Sequence, residues 1–327
     1  MTPPRISLII PVYNRPEMIR SCISSLAPSL EALHEVIVVD DGSTDGRTPQ
    51  AAKDAITALH AGDKLHLIEQ ENAGPGAARN TGAAEATGNW LAFLDSDDVW
   101  MPRTGTVLQQ TIDGDPDLAA VFLNVRPFDA LSELHGFEDT EHEEILCQNF
   151  FELTRLRPKP VVLGGGYFAM PRALFDQSGG FVPGIRGAED TDLFYRLSPH
   201  GSFLALQHPI LVGQRCSNAD SLTRDQLAVV EGVKFMLDRF HDGHYSNPTP
   251  DEAEQALADL LAFWLHEMFW HGYGKDAYSV LLSRGTLGIL SRRGHLKTAL
   301  KLLFIPILAR LRPQNHRFGW RPKASQS

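Results

Sequence analysis

Three cysteines, Cys22, Cys147 and Cys216, are spread over 327 residues, odd in number and without C-x-x-C spacing. That scarcity excludes a disulfide framework and a cysteine zinc site, and it fits a reducing compartment. Long apolar runs are also missing: no window approaches the roughly 18 uninterrupted apolar residues of a spanning helix. The first residues, Met1-Thr2-Pro3-Pro4-Arg5, lead straight into a strand-like segment without an apolar signal core, so a cytoplasmic location is expected. A glycine-rich loop after the first strand is absent, since Pro11-Val12-Tyr13-Asn14-Arg15-Pro16 contains no glycine. This argues against a nucleotidyltransferase. The Gly74-x-Gly76 pair lacks the third glycine of a dinucleotide fingerprint, which argues against hydride transfer. There are no internal repeats, and only the last few residues form a simple polar stretch.

One further absence is regional. From Ala277 to Ser327 there is no Asp or Glu, while Arg284, Arg292, Arg293, Lys297, Lys301, Arg310, Arg312, Arg317, Arg321 and Lys323 all fall there. The chain as a whole has 30 basic and 40 acidic residues, so its first 276 are strongly acidic. A basic tail on an acidic body suits an anionic partner or the body itself. The acidic body and the lack of a recognisable module exclude nucleic acid. Leu296, Leu300, Leu303, Ile307 and Leu311 recur at helical spacing beside Lys297, Lys301 and Arg310. That pattern fits a helix lying in a membrane interface, or one packed on the catalytic body. Phe263-Trp264 and Phe269-Trp270 suit core, acceptor groove or interface equally.

What is present is a β-α alternation. Ile6–Ile10, Val36–Val39, Leu65–Ile68 and Trp90–Leu94 read as buried strands. Pro16–Leu30, Asp45–His60 and Pro75–Ala86 between them read as helices, which predicts a parallel sheet with helices on both faces. The sheet is expected to continue through Ala119–Val125. The acidic segment Asp129–Pro160 reads as an insertion near the site, and helices are expected over 226–241, 250–271 and from 277 onward. The predicted boundary separates 1–225 from a helical region, 226–327.

Each early strand ends in polar or turn-forming residues. The fourth ends in Asp95-Ser96-Asp97-Asp98, three carboxylates that stay ionised together only beside positive charge. A divalent metal bridging to a diphosphate would supply it, and a helix cap is the plainer reading. Asp41-Gly42-Ser43 alone reads as a turn and cap. Tyr13 alone reads as a half-buried aromatic, Arg79 as a surface helix charge, and Glu189-Asp190-x-Asp192 as an acidic first helical turn. Gly164-Gly165-Gly166 is either a flexible turn or a place where backbone approaches a ligand. His208 alone reads as a hydrogen-bonded structural histidine.

Together these strand ends resemble the family 2 glycosyltransferases of the GT-A fold. The resemblance rests on Pro11-Val12-Tyr13-Asn14, Asp40-Asp41-Gly42-Ser43, Asn72-x-Gly74 with Ala78-Arg79-Asn80-x-Gly82, and Asp95-Ser96-Asp97-Asp98. It continues in Gly179-Gly180-Phe181 and Gly187-Ala188-Glu189-Asp190-Thr191-Asp192-Leu193-x-x-Arg196, and covers about residues 5–225. It implies a Rossmann-like α/β fold with a mixed, mainly parallel sheet flanked by helices and a C-terminal helical extension. It also implies an inverting, nucleotide-sugar-dependent enzyme, with a UDP-sugar as donor and a saccharide or lipid-linked hydroxyl as acceptor, in cell-surface polysaccharide or glycolipid synthesis. By the same resemblance Pro11, Tyr13, Asp41, Arg79, Asp95 and Arg215 would bind the donor, with Tyr13 on the base and Asp41 accepting a hydrogen bond from it. Asp97 and Asp98 would hold Mg²⁺ or Mn²⁺. Asp190 would be the base, and Glu189 would contact the acceptor or position the loop. The chain departs from the family pattern after Arg215, where Ser217 stands in place of a histidine. A silent nucleotide-sugar-binding or membrane-scaffolding protein is the alternative of another class.

Overall fold

The computed structural model describes residues 3–115, 117–156, 161–185, 187–216, 226–245, 250–270, 274–283 and 285–294. The elements are β1 (Ile6–Val12), α1 (Pro16–Ser25), β2 (Glu35–Asp40), α2 (Thr48–Ala58), β3 (Leu65–Glu69), α3 (Pro75–Glu85), β4 (Trp90–Phe93), β5 (Val99–Trp100), α4 (Thr104–Gly114), β6 (Leu118–Leu123) and β7 (Val125–Phe128). There follow β8 (Glu143–Cys147), α5 (Phe150–Arg155), β9 (Phe168–Pro171), α6 (Arg172–Ser178), α7 (Glu189–Leu197), β10 (Ser202–His208) and β11 (Val212–Arg215). The helices α8 (Gln226–His241), α9 (Pro250–Trp270), α10 (Gly274–Leu281) and α11 (Thr286–Arg292) come last. The chain divides into two compact units, 1–257 and 258–327.

Eight strands form the main sheet in the order β3-β2-β1-β4-β9-β6-β10-β8. β1 runs parallel to β2 and β4, and β2 to β3, so these four strands end on one edge. β9 inserts antiparallel between β4 and β6, and β8 closes the far edge antiparallel to β10. The architecture is thus α/β with a mixed, mainly parallel sheet flanked by helices, as expected.

β1 is buried at every position, the pattern of a central strand covered on both faces. Its even residues, Ile6, Leu8, Ile10 and Val12, pack with Ile19, Cys22 and Ile23 of α1 and Ala51, Ala52 and Ala55 of α2 in one aliphatic layer. α3 packs on β1 and β2. The layer around α5, α6 and α7 is aromatic: Phe168 stacks on Phe93 at 4.8 Å and meets Phe194 edge-on at 4.8 Å. Phe122 meets Phe194 in the same way. Such pairs add about 1 kcal/mol each beyond area burial. They fasten α7 to the sheet.

A second, three-stranded sheet has the order β5-β11-β7. The apolar run expected to end at Val125 therefore splits: Leu118–Leu123 stays in the main sheet, while Val125–Phe128 pairs with β11. The pairing of β5 with β11 draws Arg215 to the acidic turn that follows β4. The acidic insertion is more ordered than its composition suggests and contributes the edge strand β8.

Candidate active site

Parallel strands deliver four loops to one rim. Asn14, just past β1, adopts φ +52°, a left-handed conformation that Asn tolerates better than most residues. Its side-chain oxygen accepts the backbone N–H of Thr44 (2.8 Å) and Asp45 (3.1 Å), tying the first loop to the second. Tyr13 beside it is 43% exposed, an aromatic face open at the rim. Pro11 is buried within β1. Asp41 is also buried, and its carboxylate already accepts from Gln70 Nε2 and the backbone N–H of Ala73 and Gly74, at 2.8–2.9 Å. It organises the 70–74 loop directly.

After β4 the chain turns tightly, Asp98 N donating to Asp95 O at 3.0 Å, and this turn bunches three carboxylates. Each has a different partner. Asp95 Oδ1 takes Arg79 Nη2 at 2.6 Å, and Asp97 Oδ1 takes Arg15 Nη1 at 2.8 Å. Asp98 is buried and accepts from Arg215 N (2.7 Å) and the Tyr167 hydroxyl (2.8 Å). Burial, with Asp97 and Asp95 adding repulsion, pushes the Asp98 carboxyl well above its ordinary range. Arg215 also donates from Nε to Asp97 O at 3.2 Å and lies over the Phe128 ring.

Across the rim, α7 begins with Glu189 and Asp190. The residue before it, Ala188, is left-handed at φ +64°, a conformation that costs an L-residue about 1–2 kcal/mol. Glu189 is buried and takes Arg79 Nη1 at 3.2 Å. One buried guanidinium therefore bridges the strand-end acids and the helix acids. Burial opposes its charge, but Asp95 and Glu189 more than offset that and raise its pKa. Arg79 Nε is buried without a hydrogen-bond partner among the described residues. Asp190 accepts the N–H of Thr191. Burial, with Glu189 repelling it, lifts the Asp190 carboxyl to about 6 against the pull of Thr191 and Arg79. A carboxylate poised there is suited to general-base chemistry near neutrality.

The glycine triplet lies over this bridge. A Cβ on Gly165 would stand 3.0 Å from the Arg79 guanidinium, and one on Gly166 would stand 2.6 Å from the Asp95 carboxyl carbon. Only glycine leaves that space open.

Of the residues singled out from sequence, Arg79, Asp95, Asp97, Asp98, Glu189 and Arg215 are joined by direct contacts or by this turn, and Asp190 adjoins them on α7. Tyr13 and Asp41 sit on neighbouring loops. His208 is hydrogen-bonded to Asp139 at 2.7 Å, a structural role. Sequence reasoning passed over Arg15 and Tyr167, the partners of Asp97 and Asp98. Arg15 was visible as a cation next to the Tyr13-Asn14 rim, whereas nothing local marked Tyr167. Ser217 lies outside the described residues.

The acidic turn meets a simple test for a divalent ion. Its donors are hard carboxylate oxygens, and burial together with repulsion from Asp97 and Asp95 raises the Asp98 pKa. Among the described residues no three His, Cys, Asp or Glu side chains form a cage. Mg²⁺ and Mn²⁺ take one or two carboxylates together with substrate phosphate oxygens, a donor set that carboxylates of this turn could supply.

The model of the family described as "Glycosyl transferase family 2" matches residues 7–179, more than half of the chain. The chain belongs to glycosyltransferase family 2. It is 29% identical over 181 residues to Glycosyltransferase GlyA of Streptococcus pneumoniae, a match covering 53% of this chain and 25% of that protein. The chain thus spans about a quarter of the length of this curated relative. Among solved structures, S. aureus TarS 1-349 in complex with UDP-GlcNAc aligns with TM-score 0.70 at 19% identity, over 93% of this chain and 87% of that one. The mannosyltransferase PcManGT from Pyrobaculum calidifontis, in complex with GDP-Man and Mn²⁺, aligns with TM-score 0.57 at 19% identity, over 93% and 86%. At these identities the likeness establishes the shared GT-A-like fold.

Proposed function

We propose that this glycosyltransferase moves a sugar with inversion from a nucleoside-diphosphate donor, a UDP-sugar, to a hydroxyl acceptor on a saccharide or lipid-linked glycan of the cell surface. The observation that carries the reading is the Arg79 bridge, which holds two acidic clusters of different character against one cation. TarS with UDP-GlcNAc and PcManGT with GDP-Man support a nucleotide-sugar donor.

The donor's base stacks on Tyr13, in the loop region that Asp41 shapes. Its sugar and diphosphate lie along Arg79, Asp95 and Arg215. Mg²⁺ or Mn²⁺, held by Asp97 and Asp98, would supply charge neutralisation to the leaving diphosphate. Asp190, on the other side of the bridge, takes the proton of the acceptor hydroxyl. The acceptor oxygen then forms the new bond to the anomeric carbon as the bond to the diphosphate oxygen breaks. The electron pair departs with the nucleoside diphosphate, and the proton passes from Asp190 to solvent. Attack opposite the leaving group inverts the anomeric centre, by the geometric logic of inverting glycoside hydrolysis. Glu189 keeps Arg79 and the base turn together.

In this proposal residues 1–225 carry donor binding and catalysis, and 226–327 form the helical region with the basic tail. Among the described residues no helix is long and apolar enough to cross a membrane. The exposed side chains of Phe263 (56%) and Leu282 (66%), with the acid-free basic sequence from Ala277 onward, support peripheral attachment to the anionic cytoplasmic face of a membrane. The Leu296–Leu311 helix expected from sequence lies outside the described residues.

Turnover of a nucleotide-sugar panel with Mn²⁺, comparing wild type with Asp190→Asn, tests the chemistry. Transfer by wild type and its loss in the variant are expected, and unchanged turnover in the variant would refute the base assignment. Co-sedimentation with anionic liposomes tests attachment, and equal sedimentation with and without residues 277–327 would refute it.

A further inference from the structure

The Glu189–Asp190 turn and helix α8 both lie beyond the segment matched by the family model, which ends at residue 179. They are nevertheless built into each other. Halfway along α8, Gly232 is buried against the turn that precedes α7. A Cβ at this position would stand 2.4 Å from the Gly187 carbonyl oxygen and 3.0 Å from the Ala188 Cβ. The α8 backbone therefore lies directly on the two residues whose left-handed conformations, φ +91° and +64°, set the direction of Glu189 and Asp190.

A second contact holds the same helix from below. Asp192 is fully buried, two residues past Asp190. Its Oδ1 accepts from Arg239 Nε of α8 at 3.0 Å and from the Tyr245 hydroxyl at 2.7 Å. Its Oδ2 accepts from Arg196 at 2.7–2.8 Å. Arg196 donates onward to the carbonyls of Ser178 (2.6 Å) and Gly180 (2.7 Å). Next to Gly180, Phe181 exchanges backbone hydrogen bonds with the Asn80 side chain, and its ring faces Arg79. A series of polar contacts thus runs from α8 through Asp192 and Arg196 to the backbone of Ser178 and Gly180.

We propose that Asp192, Arg239, Tyr245 and Gly232 are positioning residues for transfer: they clamp α8 onto the first turn of α7 and so aim the base at the acceptor. The proposal rests on the reading of Asp190 as that base. None of the four residues carries the reaction itself. Their effect falls on the step after donor binding, because the clamp touches the base turn and leaves the loops of Tyr13, Asp41 and Asp97 alone.

A substitution that moves the turn should therefore lower kcat and spare donor affinity. Gly232→Ala places a methyl group against backbone, which cannot swing aside. We expect kcat to fall about tenfold or more, as for a misplacement of ångström size. The dissociation constant for UDP should stay within about twofold, since the family-matched loops are untouched. Loosening also exposes Asp190, whose charged neighbours among the described residues are Glu189 and Arg79, and so eases the burial that raises its pKa. The acid limb of kcat against pH should then move to lower pH. Tyr245→Phe, which removes one donor to Asp192 without changing volume, should shift both quantities in the same sense by a smaller amount. It also serves as the measurable variant if Gly232→Ala fails to fold.

A purely structural role would lower Tm and leave kcat and the pH limb of the folded enzyme unchanged. That result for Tyr245→Phe, or equal losses in UDP affinity and kcat, would overturn the proposal. Asp190→Asn measured alongside separates the two levels. If it retains full turnover, the base reading fails. If it is inactive while both clamp variants keep wild-type kcat and pH profile, the clamp alone fails.

Discussion

The two acidic clusters on the rim are built in opposite ways. The strand-end cluster comes from a single turn, Asp95 to Asp98, and each carboxylate has its own partner: Arg79, Arg15, or Tyr167 with the Arg215 backbone. The helix cluster, Glu189 with Asp190, meets one cation among the described residues, Arg79, which it shares with Asp95. Each cluster therefore keeps one carboxylate that burial lifts above its ordinary range, Asp98 in the turn and Asp190 on the helix. What differs is the surroundings: Asp98 is closed in by the Tyr167 hydroxyl and the Arg215 backbone, while Asp95 and Asp97 beside it are paired with Arg79 and Arg15. Among the described residues Asp190 accepts only from its neighbour Thr191, which suits the proposed split between a donor anchor and a base.

Removing the base breaks the comparison most severely. Asp190→Asn should reduce kcat by about 10²–10⁴-fold, the usual range for a general base, with donor affinity nearly unchanged. Steady-state kinetics paired with UDP titration checks both parts. Arg79→Met removes the shared cation and leaves two acids facing each other in a buried site. Loss of one partner from a buried pair costs about 3–5 kcal/mol, so a clear fall in the denaturant midpoint and weakened donor binding are expected. An unchanged midpoint would mean that the bridge is not structural.

Asp97→Asn should sharpen the contrast by affecting the metal rather than the proton. The Mn²⁺ concentration for half-maximal rate should rise about tenfold or more, as for loss of a charged hydrogen-bonding or ligating group. The acid limb set by Asp190 should stay in place. The smallest effect is expected at Tyr13→Ala. Base–aromatic stacking contributes about 1–3 kcal/mol, so the donor KM should rise at least about fivefold with kcat retained.

The strand ends that form the proposed donor half were largely legible in the sequence, and the surroundings of the proposed base were less so. β1 and β2 are buried at every position and read directly as apolar runs, while Pro16 and Pro75 mark helix starts because the first turn needs no proline N–H. β9 was not legible: four residues inserted antiparallel between β4 and β6 depend on partners far along the chain. β8 lay hidden in Glu143-Glu144-Ile145-Leu146-Cys147, whose polarity suits an edge strand and looks like a loop. Arg79 alone resembled a surface charge. Its burial follows from the packing of α3 on the sheet and from Asp95 and Glu189, 16 and 110 residues away. The same distance dependence hid the role of α8, whose helix was readable from its composition but whose contacts with α7 were not.

The pH dependence of kcat/KM for sugar transfer, in wild type and in Asp190→Asn, tests the central claim most directly. With the base carboxyl raised to about 6, it is protonated and inactive below that pH and ionised and active above it. Wild-type kcat/KM should therefore fall about tenfold per unit as pH drops below about 6, and the residual activity of Asp190→Asn should lack that limb. An acid limb that persists unchanged in the variant would contradict the account.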